Sequence, residues 1–403
     1  MEPPGADVVV VRHGDIGVKS SRVQSRMERR LAENLAELLA DRGVPGTVER
    51  EWGRLFVRTE EPGDAAEEAA DAFGVVSTSP ARSVTPDLDA ICEVLANTAR
   101  EHYDGGSFAV DARRTGGQDF TSQDVGAAGG EAIWTAVEDD VDPSVDLDDP
   151  DITFSVEVRE SEAFVFLETI DGPGGLPVGS QRPLVSLVSG GIDSPVAGWL
   201  AMKRGSPILP LYFDLGQYGG PDHRQRALAT IERLADFAPN QNWQVIVSPI
   251  GPYLEQIEAE LDDLRMLVLR RLMLEVAERV AKDRGAVGLV TGEAIGQKSS
   301  QTAANLAVTD RVTTLPVHRP LSSWNKQEII SLARDIGTYE DATIQAGCNR
   351  IAPDRPETRA DPSTVDSREP EAMGRWAEEA FKRSETVDLH RARSDVGGIE
   401  QSR

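Results

Sequence analysis

A short apolar run, Leu184, Val185, Leu187 and Val188, breaks at Ser189-Gly190-Gly191-Ile192-Asp193-Ser194 and resumes at helical spacing. That junction limits the chain to a small set of folds. The run reads as a strand buried on both faces, as central strands of parallel sheets are. Pro195 sits where a first-turn proline belongs, and Val196, Ala197, Leu200 and Ala201 repeat along one helix face before Gly205. A strand that enters a helix through a glycine–serine loop offers bare backbone N–H groups at a helix N-terminus, which suits a phosphate. Ser189 and Ser194 add hydroxyls. An ordinary βα turn has the same outline, so the loop alone leaves both readings open. The Gly-Lys-Ser/Thr ending of the common P-loop and the G-x-G-x-x-G spacing of dinucleotide folds are both missing.

From Pro183 onward, predicted strands alternate with predicted helices. The strands are 184–188, 208–213, 243–247, 287–291 and 314–317; the helices are 194–204, 222–237, 253–260, 264–284, 299–307 and 326–336. Such alternation implies an α/β domain with a parallel sheet covered on both faces and a ligand site at the carboxyl ends of its strands. Upstream, residues 8–79 read β-α-β-β-α-β, with strands around a turn at Trp52-Gly53, which fits a ferredoxin-like α+β unit. A second α+β unit follows, with helices at 88–102 and 122–137, a strand at 107–113, an acidic loop at 139–149 and a hairpin from 153 to 167. A helix at 371–382 and a polar end complete the chain. The expected domains are 1–80, 81–175, 176–360 and a tail, 361–403.

Composition restricts the function classes. No run of 18 apolar residues exists and the N-terminus has no basic segment before its apolar run, so neither a membrane span nor a signal peptide is expected. Cys92 and Cys348, the two cysteines, form no CxxC, which argues against a zinc site or a disulfide framework. No protein-held metal is expected, and the expected compartment is the cytoplasm. The net charge of −26 argues at first against nucleic acid. Only six of the 42 basic residues are lysines, however, and an acidic, arginine-biased surface looks adapted to a salty cytoplasm. At molar salt the Debye length is about 3 Å, so global charge repels RNA weakly and phosphate contacts add little affinity. An RNA substrate read through shape, hydrogen bonds and arginine geometry stays compatible with this charge.

Several residues carry candidate chemistry. Asp193 either holds a metal ion or orients phosphates, or caps its helix. The stretch Thr291-Gly292-Glu293-Ala294-Ile295-Gly296-Gln297, followed by Ser300-Gln301-Thr302, makes a second glycine-rich strand end that would face the same crevice. Arg270 or Arg271, on an otherwise apolar helix, is suited to reach a phosphate. Cys348, with arginines at 350 and 355, is either a sulfur carrier of lowered pKa or an inert thiol. Cys92 reads as a small apolar residue of its helix. Lys19, Arg22, Arg113 and Arg114 are basic spots, either solvated surface or RNA contacts.

The loop SGGIDS-Pro resembles the PP-loop of ATP pyrophosphatases, and the whole chain resembles the tRNA 4-thiouridine synthetase (tRNA uracil 4-sulfurtransferase) family, in its rhodanese-lacking archaeal type. The likeness runs in order through HGDIGVKSSR, the segment from ARR at 112–114 to VEVR at 156–159, GPGGLPVG, SGGIDSPVAGWLAMKRG, TGEAIGQKSSQT, RPLSSWNKQEII and ARDIGTYE. It implies a ferredoxin-like unit and an RNA-binding THUMP unit ahead of a PP-loop ATP pyrophosphatase domain. It implies adenylation of O4 of the uridine at tRNA position eight, release of pyrophosphate, and displacement of AMP by sulfur from a persulfide or sulfide. The implied ATP contacts are Leu187, Val188, Ser189, Gly190, Gly191, Asp193, Ser194, Tyr212, Phe213, Arg270, Gly292 and Gln301. Asp193 and Cys348 are the implied catalytic residues. Lys19, Arg22, Arg113, Arg114 and Lys326 are the implied tRNA contacts. ATP with Mg2+, a cysteine desulfurase or sulfide as sulfur donor, a homodimer and a share in thiamine thiazole synthesis belong to the same expectation.

The chain departs from the family where Asn325 replaces a common Asp, and where Ala346-Gly347-Cys348 replaces an Asp-Cys-Cys triplet. Other PP-loop enzymes would add a glutaminase domain or several CxxC pairs, and a decayed ATPase would not keep the loop intact.

Overall fold

The computed structural model describes residues 1–51, 53–219, 221–342 and 351–389. Trp52, of the expected turn, and Cys348 lie outside them. The chain divides into two compact units, Met1–Pro177 and Val178–Arg403.

The first unit carries β1 (Val8–His13), α1 (Ser21–Asp41), β2 (Thr47–Glu51), β3 (Arg54–Arg58), α2 (Pro62–Ala70) and β4 (Val75–Val84). It continues with α3 (Leu88–His102), β5 (Gly106–Arg114), α4 (Ser122–Val137), β6 (Pro143–Val145), β7 (Ile152–Val158), β8 (Ala163–Phe166) and β9 (Ile170–Asp171). Alternation along β1 decides its packing: Val9 and Val11 face Leu31, Leu35 and Leu38 of α1, while Val8 and Val10 join Phe56, Phe164 and Phe166 on the other side. Phe56 stacks on Phe164 with ring centroids 4.8 Å apart.

The expected division at residue 80 does not interrupt the strand there. β4 runs ten residues, pairing with β1 through Ala81 and then with β8 from Arg82 to Val84, so one sheet serves both α+β motifs. Its order is β2-β3-β1-β4-β8-β7-β5-β6, with β9 beside β4. The expected acidic loop at 139–149 also contains a strand, β6, because backbone pairing with β5 at the sheet edge needs no apolar side chains.

The second unit carries β10 (Leu184–Val188), α5 (Asp193–Lys203), β11 (Ile208–Asp214), α6 (Pro221–Ala235), β12 (Gln244–Pro249), α7 (Gly251–Glu260) and α8 (Arg265–Arg284). There follow β13 (Leu289–Val290), α9 (Ala303–Thr309), β14 (Val317–His318), α10 (Lys326–Asp335), α11 (Tyr339–Ala342), α12 (Pro362–Arg368), α13 (Met373–Lys382) and β15 (Glu385–Asp388). Sheet order is β14-β13-β10-β11-β12-β15. The first five strands are parallel, whereas β15 pairs antiparallel with β12. The five expected strands thus form the parallel sheet, and β15, which was not expected, adds an antiparallel edge whose polar sequence is held by backbone pairing. Val185, Leu211 and Ile246 from the strands bury against Leu269, Leu272 and Val276 of α8, and Trp376 of α13 stacks on Tyr253 of α7. α8 stops at Gly285, whose φ of +71° gives the left-handed cap that ends many helices.

Strand order places the site. The chain leaves β10 toward β11 and later returns to β13 on the other side of β10. The carboxyl ends of β10 and β13 thus flank a topological switch point, where open α/β sheets bind ligands.

Candidate active site

The loop Ser189–Ser194 leaves β10 at this switch point and closes on itself. The Ser189 amide donates to Ser194 Oγ at 2.9 Å, the Ser194 hydroxyl reaches the Ser189 carbonyl at 3.2 Å, and the Gly191 amide donates to Ser189 Oγ at 3.3 Å. Both hydroxyls hold the loop's own backbone. The loop after β13 presses against it from the other side. A Cβ on Gly292 would lie 2.7 Å from the Asp193 carbonyl carbon and 2.7 Å from the Ser194 nitrogen, closer than side chains tolerate. Only a bare α-carbon lets the two loops meet.

Asp193 opens α5, but the helix is capped from Ile192 without any side-chain hydrogen bond. The Asp193 carboxylate instead accepts from Lys326 Nζ at 2.6 Å, with both groups partly exposed. Lys326 is delivered there as the first residue of α10. Asn325 Oδ1 accepts from the amides of Gln327 and Glu328, while Glu328 reaches back to the Asn325 amide. This is a complete capping box. Lys326, expected on tRNA, therefore meets the loop acid Asp193, and Asn325 caps the helix that delivers it.

The two arginines of α8 separate cleanly. Arg271 is buried and spent on Glu369 at 2.8 Å and Asp366 at 2.9 Å, joining α8 to α12. Arg270 lines the crevice with Leu187, Val188, Ser189, Gly191, Asp193, Ser194, Gly292 and Gln301. Its Nε donates to Ser300 Oγ at 3.2 Å and its Nη1 pairs with Glu293. Lys298 adds another cation to the lining, and Met266, Leu269 and Met273 form an apolar wall. Gln301 is 5% exposed and its Oε1 takes no hydrogen bond among the described residues. Gly190, Tyr212 and Phe213 are not part of this lining; Tyr212 and Phe213 are buried, the Tyr212 hydroxyl 3.2 Å from His223 Nδ1.

Against Arg270, and lining the same crevice, Glu293 and Thr291 belong to a group the sequence reasoning did not assemble. Burial alone would push the Glu293 carboxyl up, but Arg270 and Arg319, with hydrogen bonds from Arg319 and Thr291, hold it below the usual carboxylate range. Arg319 in turn grips Asp310 through two nitrogens at 2.9 and 2.5 Å. These residues come from the β13 loop, α8, the end of α9 and the stretch after β14, so no local spacing announces them. Glu293 stood inside the glycine-rich string, and its position next to Gly292 was the only signal available.

In the first unit, Lys19 and Arg22 are exposed, Arg113 is exposed beside Asp111, and Arg114 is half-buried against the Gly116 carbonyl. Burial and nearby acids raise the pKa of the Cys92 thiol, which lies on α3 in that unit. No helix among the described residues is long and apolar enough to cross a membrane.

Three family models match the chain: the ThiI ferredoxin-like domain over residues 8–79, the THUMP domain over 86–168 and "Thiamine biosynthesis protein (ThiI)" over 179–373. A protein of Halobacterium salinarum named "Probable tRNA sulfurtransferase" is 62% identical over 377 residues, 94% of this chain and 96% of the relative. One of the same name from Methanosarcina acetivorans is 42% identical over 88% of this chain and 87% of its own. Among solved structures, a 4-thiouridine synthetase in complex with RNA and with bound ATP superposes with a TM-score of 0.84 at 30% identity. That match covers 95% of this chain and 99% of the other. On identity, coverage and fold together, the chain belongs to the tRNA sulfurtransferase family.

Proposed function

We propose that the crevice between the ends of β10 and β13 binds ATP and that the chain uses it to convert a tRNA uridine to 4-thiouridine. One observation carries this reading. The Ser189–Ser194 loop, locked by its own serines and by the bare α-carbon of Gly292, faces Arg270 and the buried Gln301 Oε1, which has no partner among the described residues. The loop amides not held by the serines and the α5 N-terminus suit the triphosphate, and Arg270, Lys298 and Lys326 concentrate positive charge in a strongly acidic chain. The apolar wall of Leu187, Met266, Leu269 and Met273 suits a flat base, with Gln301 offering its polar edge. Val188, Tyr212 and Phe213 at the strand ends complete the proposed ATP set.

The chemistry follows in two balanced steps. The uridine O4, at tRNA position eight, attacks the α-phosphorus of ATP, and the bond to the β-phosphate oxygen breaks to release pyrophosphate. A sulfur nucleophile then attacks C4, and AMP leaves with the former O4. Arg270 and the loop amides stabilise charge that builds on the phosphates during the first step. Asp193 and Lys326 orient the phosphates. Of the two carboxylates lining the crevice, Glu293 is taken by two arginines, so Asp193, with phosphate and water, would hold Mg2+, and the ion would neutralise phosphate charge. Sulfide serves the second step directly. A persulfide on Cys348, charged by a cysteine desulfurase, serves it only if a second thiol later cleaves the S–S bond, leaving a disulfide to be reduced.

The remaining expectations join this proposal: domains at 1–80, 81–175, 176–360 and 361–403, tRNA contacts at Lys19, Arg22, Arg113 and Arg114, a cytoplasmic homodimer, and sulfur delivery for thiazole. The test is purified protein with tRNA transcript, ATP and sulfide, read by mass spectrometry of nucleosides and by pyrophosphate release. Wild type is expected to form 4-thiouridine, and Asp193→Ala to lose at least about a hundredfold, as loss of a phosphate-orienting group does. Wild type that forms no 4-thiouridine overturns the reading. Cys348→Ala that keeps sulfide-driven but loses desulfurase-driven thiolation assigns the persulfide to Cys348.

A further inference from the structure

We infer that Glu293 is a positioning residue that sets the reach of Arg270 into the crevice. Its side chain is almost fully buried, and its two oxygens are shared between two guanidiniums: Oε1 takes Arg270 Nη1, while Oε2 takes Arg319 Nε at 2.9 Å and the Thr291 hydroxyl at 3.1 Å. Arg319 is itself fixed by its two-pronged grip on Asp310. A line of alternating charge, Asp310–Arg319–Glu293–Arg270, thus runs from the outer surface to the cavity and ends on an arginine. Arg270 spends Nε on Ser300 and Nη1 on Glu293, and Nη2 carries no hydrogen bond among the described residues. Two of its three nitrogens are anchored by Ser300 and by Glu293, which lines the crevice beside it, and the third is left for the ligand.

The chemistry of the carboxylate matters here. A long arginine side chain loses considerable rotamer freedom when it binds, and prior anchoring removes much of that loss from the binding step. A buried carboxylate satisfies two guanidiniums at once because it has two acceptor oxygens and no donor. Glutamine has one oxygen, and its NH2 would face an arginine N–H. Aspartate keeps the charge but is one methylene short of spanning both partners. Glu293 touches no phosphate in this account; it acts through Arg270.

The inference rests on the reading of the crevice as an ATP site, and a double-mutant cycle separates the two. ATP binding is measured by calorimetry for wild type, Glu293→Gln, Arg270→Ala and the double variant, with thermal unfolding alongside. Glu293→Gln is expected to weaken ATP binding about tenfold in the wild-type background and less than about twofold when Arg270 is already alanine, the non-additivity of residues acting through one contact. KM for tRNA should not move, and Glu293→Asp should not rescue. Equal losses in both backgrounds, or Glu293→Gln binding ATP like wild type, overturn the inference. Wild type failing to bind ATP overturns the crevice reading instead. Should Glu293→Gln not fold, Thr291→Val, which removes only the hydroxyl donor to Oε2, takes its place in the same cycle with the same two outcomes.

Discussion

At the scale of single residues, Gly292 has the least freedom in the site. Alanine there sets its Cβ against backbone atoms of Asp193 and Ser194, which no rotamer change relieves. Gly292→Ala is expected to cost about 1–3 kcal/mol of stability, as other overpacked positions do. It should weaken ATP binding more than tenfold by displacing the phosphate loop, as calorimetry would detect; unchanged affinity would mean the loop yields without consequence. Glu293 adds a pH signature. Its carboxyl titrates below the usual range when folded, so its stabilisation is complete above an unfolded value of about 4.3 and is lost as pH falls through the lower folded value. Denaturant melts between about pH 3 and 6 should therefore show wild type losing more stability on acidification than Glu293→Gln. Parallel curves would contradict the buried, charged state of this group.

Elements differ in how far local sequence specified them, and the difference is physical. The predicted helices at 88–102 and 122–137 match α3 and α4, because Asp87 and Thr121 cap them and apolar residues recur at helical spacing. β10 and its loop were legible for the same reason: an apolar run, two glycines and a proline act within a dozen residues. The predicted strand at 287–291 shrinks to Leu289–Val290, and that at 314–317 moves to Val317–His318, since two-residue strands are defined by their neighbours rather than their own pattern. The site splits likewise. Ser189–Ser194 and Gly292 stood out as glycine-rich strand ends, whereas the pairing of Lys326 with Asp193 spans 133 residues and depends on where α10 begins. That start depends on Asn325. Asn325→Ala should cost about 1 kcal/mol of stability, and by loosening the first turn of α10 should lower adenylation more than tRNA binding. Asn325→Asp, which keeps the cap, should leave both near wild type. Adenylation unaffected by Asn325→Ala would detach α10 from the chemistry.

Across the whole molecule the charge is unevenly shared. Residues 1–177 hold 15 Lys and Arg against 37 Asp and Glu, a net −22, which leaves −4 for the rest. The half proposed to hold tRNA is thus the strongly acidic one, and the half with the phosphate loop is near neutral. In dilute salt the first unit should repel a polyanion and itself; at molar salt, screening over about 3 Å removes both effects. Taking the duplex value as an upper bound for tRNA, each phosphate contact contributes a slope of about −0.9 in log affinity against log salt. Four contacts from Lys19, Arg22, Arg113 and Arg114 would then cost roughly 150-fold over a fourfold rise in KCl. Relief of repulsion acts in the opposite direction, so the measured slope is expected to be shallower than about −3.6, with melting temperature rising over the same range. Filter binding and thermal melts between about 0.5 and 2 M KCl decide the matter. A steeper slope would mean that recognition rests on more basic groups than these four. A slope that does not change in Arg113→Ala/Arg114→Ala would remove that pair from the interface and leave tRNA recognition to shape and uncharged hydrogen bonds.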